Sequence, residues 1–191
     1  MRRVSGDMGH PRPVRILAIS GSLRRASSNS ALVAAAALVA PGTIEVSVFA
    51  DLAGIPPFNP DVDLEDPPEP VTRFRMAVRE ADAVLISSPE YAHGVPGVLK
   101  NALDWLVGSG ELIDKPMALI NASGRARHAW ASLMETLTVM SAHVITDATV
   151  TLPLDGRHLD ADGIARDVDL ATKLGAAIAA LAAAVRGPAK V

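Results

Sequence analysis

Apolar residues fall in two rhythms that alternate along the chain. Ile16-Leu17-Ala18-Ile19 and Val84-Leu85-Ile86 are apolar at successive positions, as in strands covered on both faces. Residues 14–20, 82–88 and 116–122 therefore read as buried strands. Residues 43–49 instead alternate Ile44, Val46 and Val48 with Glu45 and Ser47, the period of an edge strand with one wetter face. Residues 143–152 supply a fifth strand. Between the strands the spacing changes to three and four. It predicts helices over 28–40, from 69 onward through Val71, Phe74, Val78 and Ala81, over 96–107, and over 127–141 with Trp130, Leu133, Leu137 and Met140 on one stripe. The cleanest pattern is the last: Ile164, Val168, Ala171, Leu174, Ile178, Leu181 and Val185 predict one continuous helix. Five strands alternating with five helices predict an α/β fold, a three-layer sandwich around a parallel sheet, in one domain over 14–187.

Two segments break the alternation. Residues 1–13 are polar, with Gly and Pro but no apolar stretch, and read as a disordered tail. Residues 51–70 carry six prolines, so they form a long irregular loop, and such loops are often functional. The acids Asp51, Asp61, Asp63, Glu65 and Asp66 within it read as solvated.

Composition narrows the partners. A net charge of −3 gives no electrostatic reason to expect nucleic acid. No apolar run approaches the roughly 18–20 residues that span a bilayer, so no membrane partner is expected. The absence of cysteine removes disulfides, thiol nucleophiles and thiolate metal sites, and fits a reducing cytoplasm. His10, His128, His143 and His158 show no metal-ligand spacing, so no metal is expected. Trp105 and Trp130 read as core or interface residues.

Candidate chemistry sits in two strand-to-helix loops. The first has no Walker lysine and a single glycine, Gly21, so neither a triphosphate loop nor a dinucleotide fingerprint applies. What it offers is Ser22, Arg24, Ser27, Ser28, Asn29 and Ser30 at a helix start. There, unpaired amides and a partial positive charge suit a phosphate, and Arg24 adds charge. The same serines and Asn29 equally suit capping of the helix. The second loop, Pro89-Glu90-Tyr91-Ala92-His93-Gly94, follows the 82–88 strand in the same way, and Pro96 opens the next helix.

Gly21-Ser22-Leu23-Arg24 with Ser27 and Asn29 resembles the phosphate loop of the NADPH-dependent FMN reductase family. Pro89-Glu90-Tyr91, Gly94, Pro96-Gly97 and Leu99-Lys100-Asn101-Ala102-Leu103-Asp104-Trp105 resemble its second signature. Asp51-Leu52 to Asp61 resembles its loop after the second strand. The resemblance covers most of 14–125. It implies a flavodoxin-like sheet of order 2-1-3-4-5 with FMN at the switch point between strands 1 and 3. It further implies that Ser22, Arg24, Ser27 and Asn29 hold the FMN phosphate. The turn Pro89-Glu90-Tyr91-Ala92-His93-Gly94 would follow the pyrimidine edge of the flavin, with Ser123 and Gly124 closing the other side.

His93 and Arg125 are candidates for the substrate mouth. Glu90 has two readings: a bond to flavin, or a pair with a basic residue such as Arg125 or with a partner subunit. Asn101 reads as satisfying the backbone of a neighbouring loop. One position departs from the family, which commonly has Asn where this chain has Ala92.

The implied activity is an oxidoreductase with no catalytic acid or base. NADPH or NADH delivers hydride to FMN, and a flavin, quinone or similar small molecule then takes the electrons by a ping-pong mechanism. A flavodoxin-like electron carrier and a flavin-binding redox module without turnover are the alternatives. Relatives in such families assemble as homodimers or homotetramers, and the same is expected here.

Overall fold

The computed structural model describes residues 12–63 and 67–187. Its elements are β1 (Val14–Ser20), α1 (Ser28–Val39), β2 (Ile44–Phe49), α2 (Glu69–Glu80), β3 (Ala83–Ser87), α3 (Gly97–Val107), β4 (Pro116–Asn121), α4 (His128–Val139), β5 (His143–Val144), β6 (Val150–Thr151), α5 (Ala161–Arg166) and α6 (Val168–Arg186). The sheet runs β2-β1-β3-β4-β5 with every pairing parallel, and β6 also pairs with β4. The flavodoxin-like order 2-1-3-4-5 is the one implied by the loops.

Successive residues of the central strands feed opposite cores. Val14, Ile16 and Ala18 of β1 pack with Leu32 and Ala36 of α1 and Leu174 and Ile178 of α6. Leu17 and Ile19 face Phe74 of α2, Trp105 of α3 and Leu133 of α4. Strands buried this way need no polar alternate positions, which is why they read as unbroken apolar runs. Trp105 is fully buried and donates its Nε1–H to the Pro56 carbonyl (2.8 Å). Asn101 takes the Phe58 amide on Oδ1 (2.7 Å) and donates Nδ2–H to Pro56 (2.9 Å), so it does satisfy the backbone of the 51–70 loop.

Five expectations change. The fifth strand is cut in two by a 3₁₀ turn at Thr146–Ala148. The cause is Thr149, whose Oγ1 accepts the Leu119 amide (3.2 Å) in place of a ladder carbonyl. The last helix is likewise two. Asp167 is extended (φ −77°, ψ 111°) and caps α6 by accepting the Leu170 amide (3.0 Å), a better use of Asp than a helix interior. The 51–70 acids are not all solvated. Asp63 is half-buried against Arg75, at 2.7 Å, and Arg75 also grips the Trp105 carbonyl. Glu65 and Asp66 lie outside the described residues, as do residues 1–11 of the expected tail. Its last residues dock instead: Arg12 forms a two-pronged pair with Asp82 (2.7 and 2.8 Å).

The fifth change concerns α6. It is 19 residues long with a mean hydropathy of 1.7 over an 18-residue window, apolar enough to cross a membrane. In the fold it lies on the sheet beside α1, burying Leu170, Leu174, Ala177, Ile178, Leu181 and Ala182.

β1 and β3 come together at their C-terminal ends. The Gly21 amide donates to the Ser87 carbonyl (2.8 Å), and a Cβ on Gly21 would lie 2.7 Å from Ser88 Oγ and 2.9 Å from Leu99 Cδ2. Gly21→Ala therefore pushes the two loops apart. It is expected to destabilise the chain by about 1–3 kcal/mol, as other overpacked sites do. Urea titration followed by circular dichroism measures the change, and a midpoint equal to the parent would refute the contact.

Candidate functional site

The close approach of β1 and β3 leaves a cavity of about 440 Å³ outside the C-terminal ends of β1, β3 and β4. Three walls enclose it. The first is the β1–α1 loop with Ser22, Arg24, Ser27, Ser28 and Asn29. The second is Ser88, Pro89, Glu90 and Tyr91 after β3. The third joins Ser123 and Arg125 after β4 to residues 154–158 after β6. Ala92, His93, Gly94 and Gly124 stand outside this wall.

The first wall is braced from within. Ser22 Oγ accepts the Arg24 amide (3.2 Å), and Ser20 Oγ lies 2.9 Å from Ser30 Oγ. Ser27 is the N-cap of α1, its Oγ taking the Ser30 amide (3.3 Å), so capping and a place in the cavity coexist in one residue. Among the described residues, the amides of residues 25–29 meet no acceptor. The first turn of α1 carries no acid, so the positive end of the helix is uncompensated. Asn29 is 7% exposed and turns Oδ1 to the Ser87 hydroxyl (2.9 Å). Its Nδ2 has no protein partner among the described residues and can donate into the cavity.

The cations differ in availability. Arg125 pairs with Asp155 (3.0 Å), and Arg157 pairs with Asp167. Arg24 makes no ion pair among the described residues, which leaves it to meet an anion. Asp155 also takes the Ser123 hydroxyl (2.9 Å), and these contacts, Arg125 first and Ser123 next, hold its carboxyl below the usual aspartate range. Ser123 thus positions the third wall.

Glu90 makes a contact that neither reading foresaw. Its Oε2 accepts the His128 and Ala129 amides (2.8 and 2.9 Å), the vacant first-turn donors of α4. Arg127, the N-cap of that helix, has no side chain able to accept them. The Ala129 amide first, then that of His128, hold the Glu90 carboxyl below its ordinary value. The second loop is tied to α4 again by His93, whose ring stacks on His128 at 4.2 Å.

The turn itself is two residues long. Tyr91 and Gly94 exchange both backbone hydrogen bonds (3.1 and 2.9 Å), while Ala92 and His93 have φ of 48° and 61°. Both central residues at positive φ make a type I′ turn, which favours Asn and Gly. Ala92 therefore forgoes a conformational preference rather than only a side-chain contact. Tyr91 is 53% exposed at the mouth, its hydroxyl 3.5 Å from Ser22 Oγ.

Several site residues escaped the sequence reading. Asn121, which takes the Ser123 amide on Oδ1 (3.0 Å) and donates to Ala126 (3.2 Å), was signalled by a polar residue closing an apolar strand. Residues 154–158 carried no signal, because only the path of the chain after β6 brings them here.

The family model described as NADPH-dependent FMN reductase matches residues 14–156. The chain belongs to the NADPH-dependent FMN reductase family. It is 42% identical over 158 residues to an NAD(P)H-dependent FMN reductase of Pseudomonas aeruginosa, covering 78% of this chain and 83% of that one. A 2-hydroxy-1,4-benzoquinone reductase of Burkholderia is 41% identical over 113 residues, 58% of this chain and 61% of that one. The quinone reductase of Escherichia coli K12 is 38% identical over 106 residues, 55% of each. The match thus spans less than two thirds of the quinone-reductase relatives.

Among solved structures, the flavoenzyme NAD(P)H:(acceptor) oxidoreductase FerB of Paracoccus denitrificans superposes with a TM-score of 0.72 at 29% identity. The superposition covers 90% of this chain and 97% of FerB. An archaeal flavodoxin, at 15% identity and a TM-score of 0.58, shares the fold.

Members of this oxidoreductase family use NAD(P)H with FMN, and the cavity fits that cofactor. Its free amides, Arg24 and Asn29 Nδ2 suit a phosphate, and its volume suits a ligand of that size.

Two outcomes follow for the second loop. Glu90 has a depressed carboxyl, so its tie to α4 is at full strength above the ordinary glutamate value of about 4.3 and fades as pH falls through the lower folded value. Glu90→Gln should lower the melting temperature at neutral pH, and the gap from the parent should close in strong acid. A gap constant with pH would refute the tie. Ala92→Asn should raise stability by about 0.5–1 kcal/mol by easing the positive φ, read from chemical denaturation midpoints.

Proposed function

We propose that this chain binds FMN in the cavity between the β1–α1 and β3–α3 loops and passes electrons from NAD(P)H to a small acceptor, a quinone or a free flavin. The observation that carries the reading is the row of unpartnered amides at 25–29 beside the unpaired Arg24, opening on a cavity at the switch point of the sheet. When bound, FMN supplies the hydride chemistry. The protein supplies the rest as fixed dipoles.

Ser22, Arg24, Ser27, Ser28 and Asn29 hold the phosphate. Pro89, Glu90 and Tyr91, with the Ala92-His93-Gly94 turn continuing their line, set one edge of the ring. Ser123 and Gly124 border the other. Both carboxylates on the wall, Glu90 and Asp155, are already engaged in holding loops. Neither is free to act as a general base, in keeping with a hydride transfer that needs none. His93 and Arg125 flank the mouth, where donor and acceptor take turns in a ping-pong cycle.

Phe58, Val62 and Val107 are exposed apolar side chains and support assembly into a homodimer or homotetramer. The cysteine-free chain suits the cytoplasm.

Arg24→Ala should weaken FMN binding by about 1.5–3 kcal/mol, the worth of a hydrogen bond to a charged group. Fluorescence titration of the apoprotein measures it, and an unchanged dissociation constant would remove Arg24 from the site. Anaerobic NADPH should bleach the flavin absorbance, and a quinone should restore it. Failure to bleach would identify an electron carrier instead.

A further inference from the structure

A second groove of about 380 Å³ lies behind the phosphate loop, between α1 and the start of α5. It shares Ala26, Ser27, Ser28 and His158 with the first cavity, so the two meet across the phosphate loop. Its floor is apolar, formed by Ala31 and Ala34 of α1 with Leu159 and Ala161. Its polar groups are Ser27, Ser28, Ser30 and His158 and two charged residues, Arg25 and Asp160. Arg25 is exposed, and among the described residues it makes no ion pair. Asp160 caps α5 through Oδ1, which accepts the Gly163 amide (2.8 Å), leaving Oδ2 available. A cation, an aliphatic floor and a carboxylate are the complements of a phosphate, a purine face and ribose hydroxyls.

We propose that this groove is an adenylate subsite, so that the chain takes FAD as well as FMN. The flavin-side phosphate stays on the amides of residues 25–29, the second phosphate crosses Ala26 to Arg25, and the adenosine lies along Ala31, Ala34 and Leu159. The inference rests on the reading of the first cavity as the FMN site. The hydride donor fits the groove less well. No residue of the 88–94 or 121–126 loops lines it, so a molecule stacked on the flavin ring would have to cross the whole first cavity to reach it.

The test is calorimetric titration of the apoprotein with FMN, FAD and NADP⁺. FAD should bind at least as tightly as FMN. Ala34→Trp, which fills the groove, should weaken FAD at least tenfold while FMN stays within twofold of the parent. The retained FMN binding also reports that the variant is folded. Should Ala34→Trp not fold, Ala161→Trp, which lines the groove but not the first cavity, should give the same selective loss of FAD.

FMN binding with FAD more than tenfold weaker than FMN in the parent would overturn the subsite. So would FAD affinity indifferent to both substitutions, or a selective loss of NADP⁺ in its place. A folded parent that binds no FMN would instead sink the function proposed above.

Discussion

The hydrogen bond from the Gly21 amide to the Ser87 carbonyl sets the geometry on which the site depends. It brings the tips of β1 and β3 so close that a Cβ at residue 21 would press on the side chains of Ser88 and Leu99. With the tips joined, the two loops have to diverge, one toward α1 and the other toward α3, and the space between them is the cavity. Ser87 reinforces the junction from below, its hydroxyl 2.9 Å from both Asn29 and the Ile120 carbonyl. Three strands and the start of α1 are thereby held by one buried serine.

The ionic groups around the cavity are arranged by subtraction. Asp155 engages Arg125, Asp167 engages Arg157, and Glu90 engages the amides of α4. Each of these contacts shapes a loop and also removes a charge from competition. Arg24 and the α1 amides are left as the unspent positive potential, at one end of the cavity. A ligand with an anionic end and a neutral body is oriented by that asymmetry alone.

The central strands were legible because burial on both faces forces contiguous apolar residues, and the Ala-rich α1 because small residues at helical spacing suit close packing. The division of the fifth strand was not, because it arises from one tertiary contact, Thr149 to the Leu119 amide, that no local pattern encodes. In the site, the phosphate loop was legible from its hydroxyls and amides. The role of Glu90 was missed although a sign of it was present: α4 begins without Ser, Thr, Asp or Asn at its cap, which leaves a vacancy for a distant acceptor. The 154–158 wall had no comparable sign. In α6, Asp169 and Lys173 break the apolar run without lowering the mean hydropathy of the helix below that of a membrane span, and only its packing on the sheet shows where its apolar face goes.

The broken strand also bears on how molecules of this chain meet one another. A sheet edge recruits strangers when it shows a long row of unpaired backbone groups. On the β5–β6 side two pieces of two residues each, stepped apart by a tight turn, offer a template too short to copy. The opposite margin, the six residues of β2, remains the longer ribbon. Any misassembly by strand addition should therefore begin there, and proceed from one side of the molecule only.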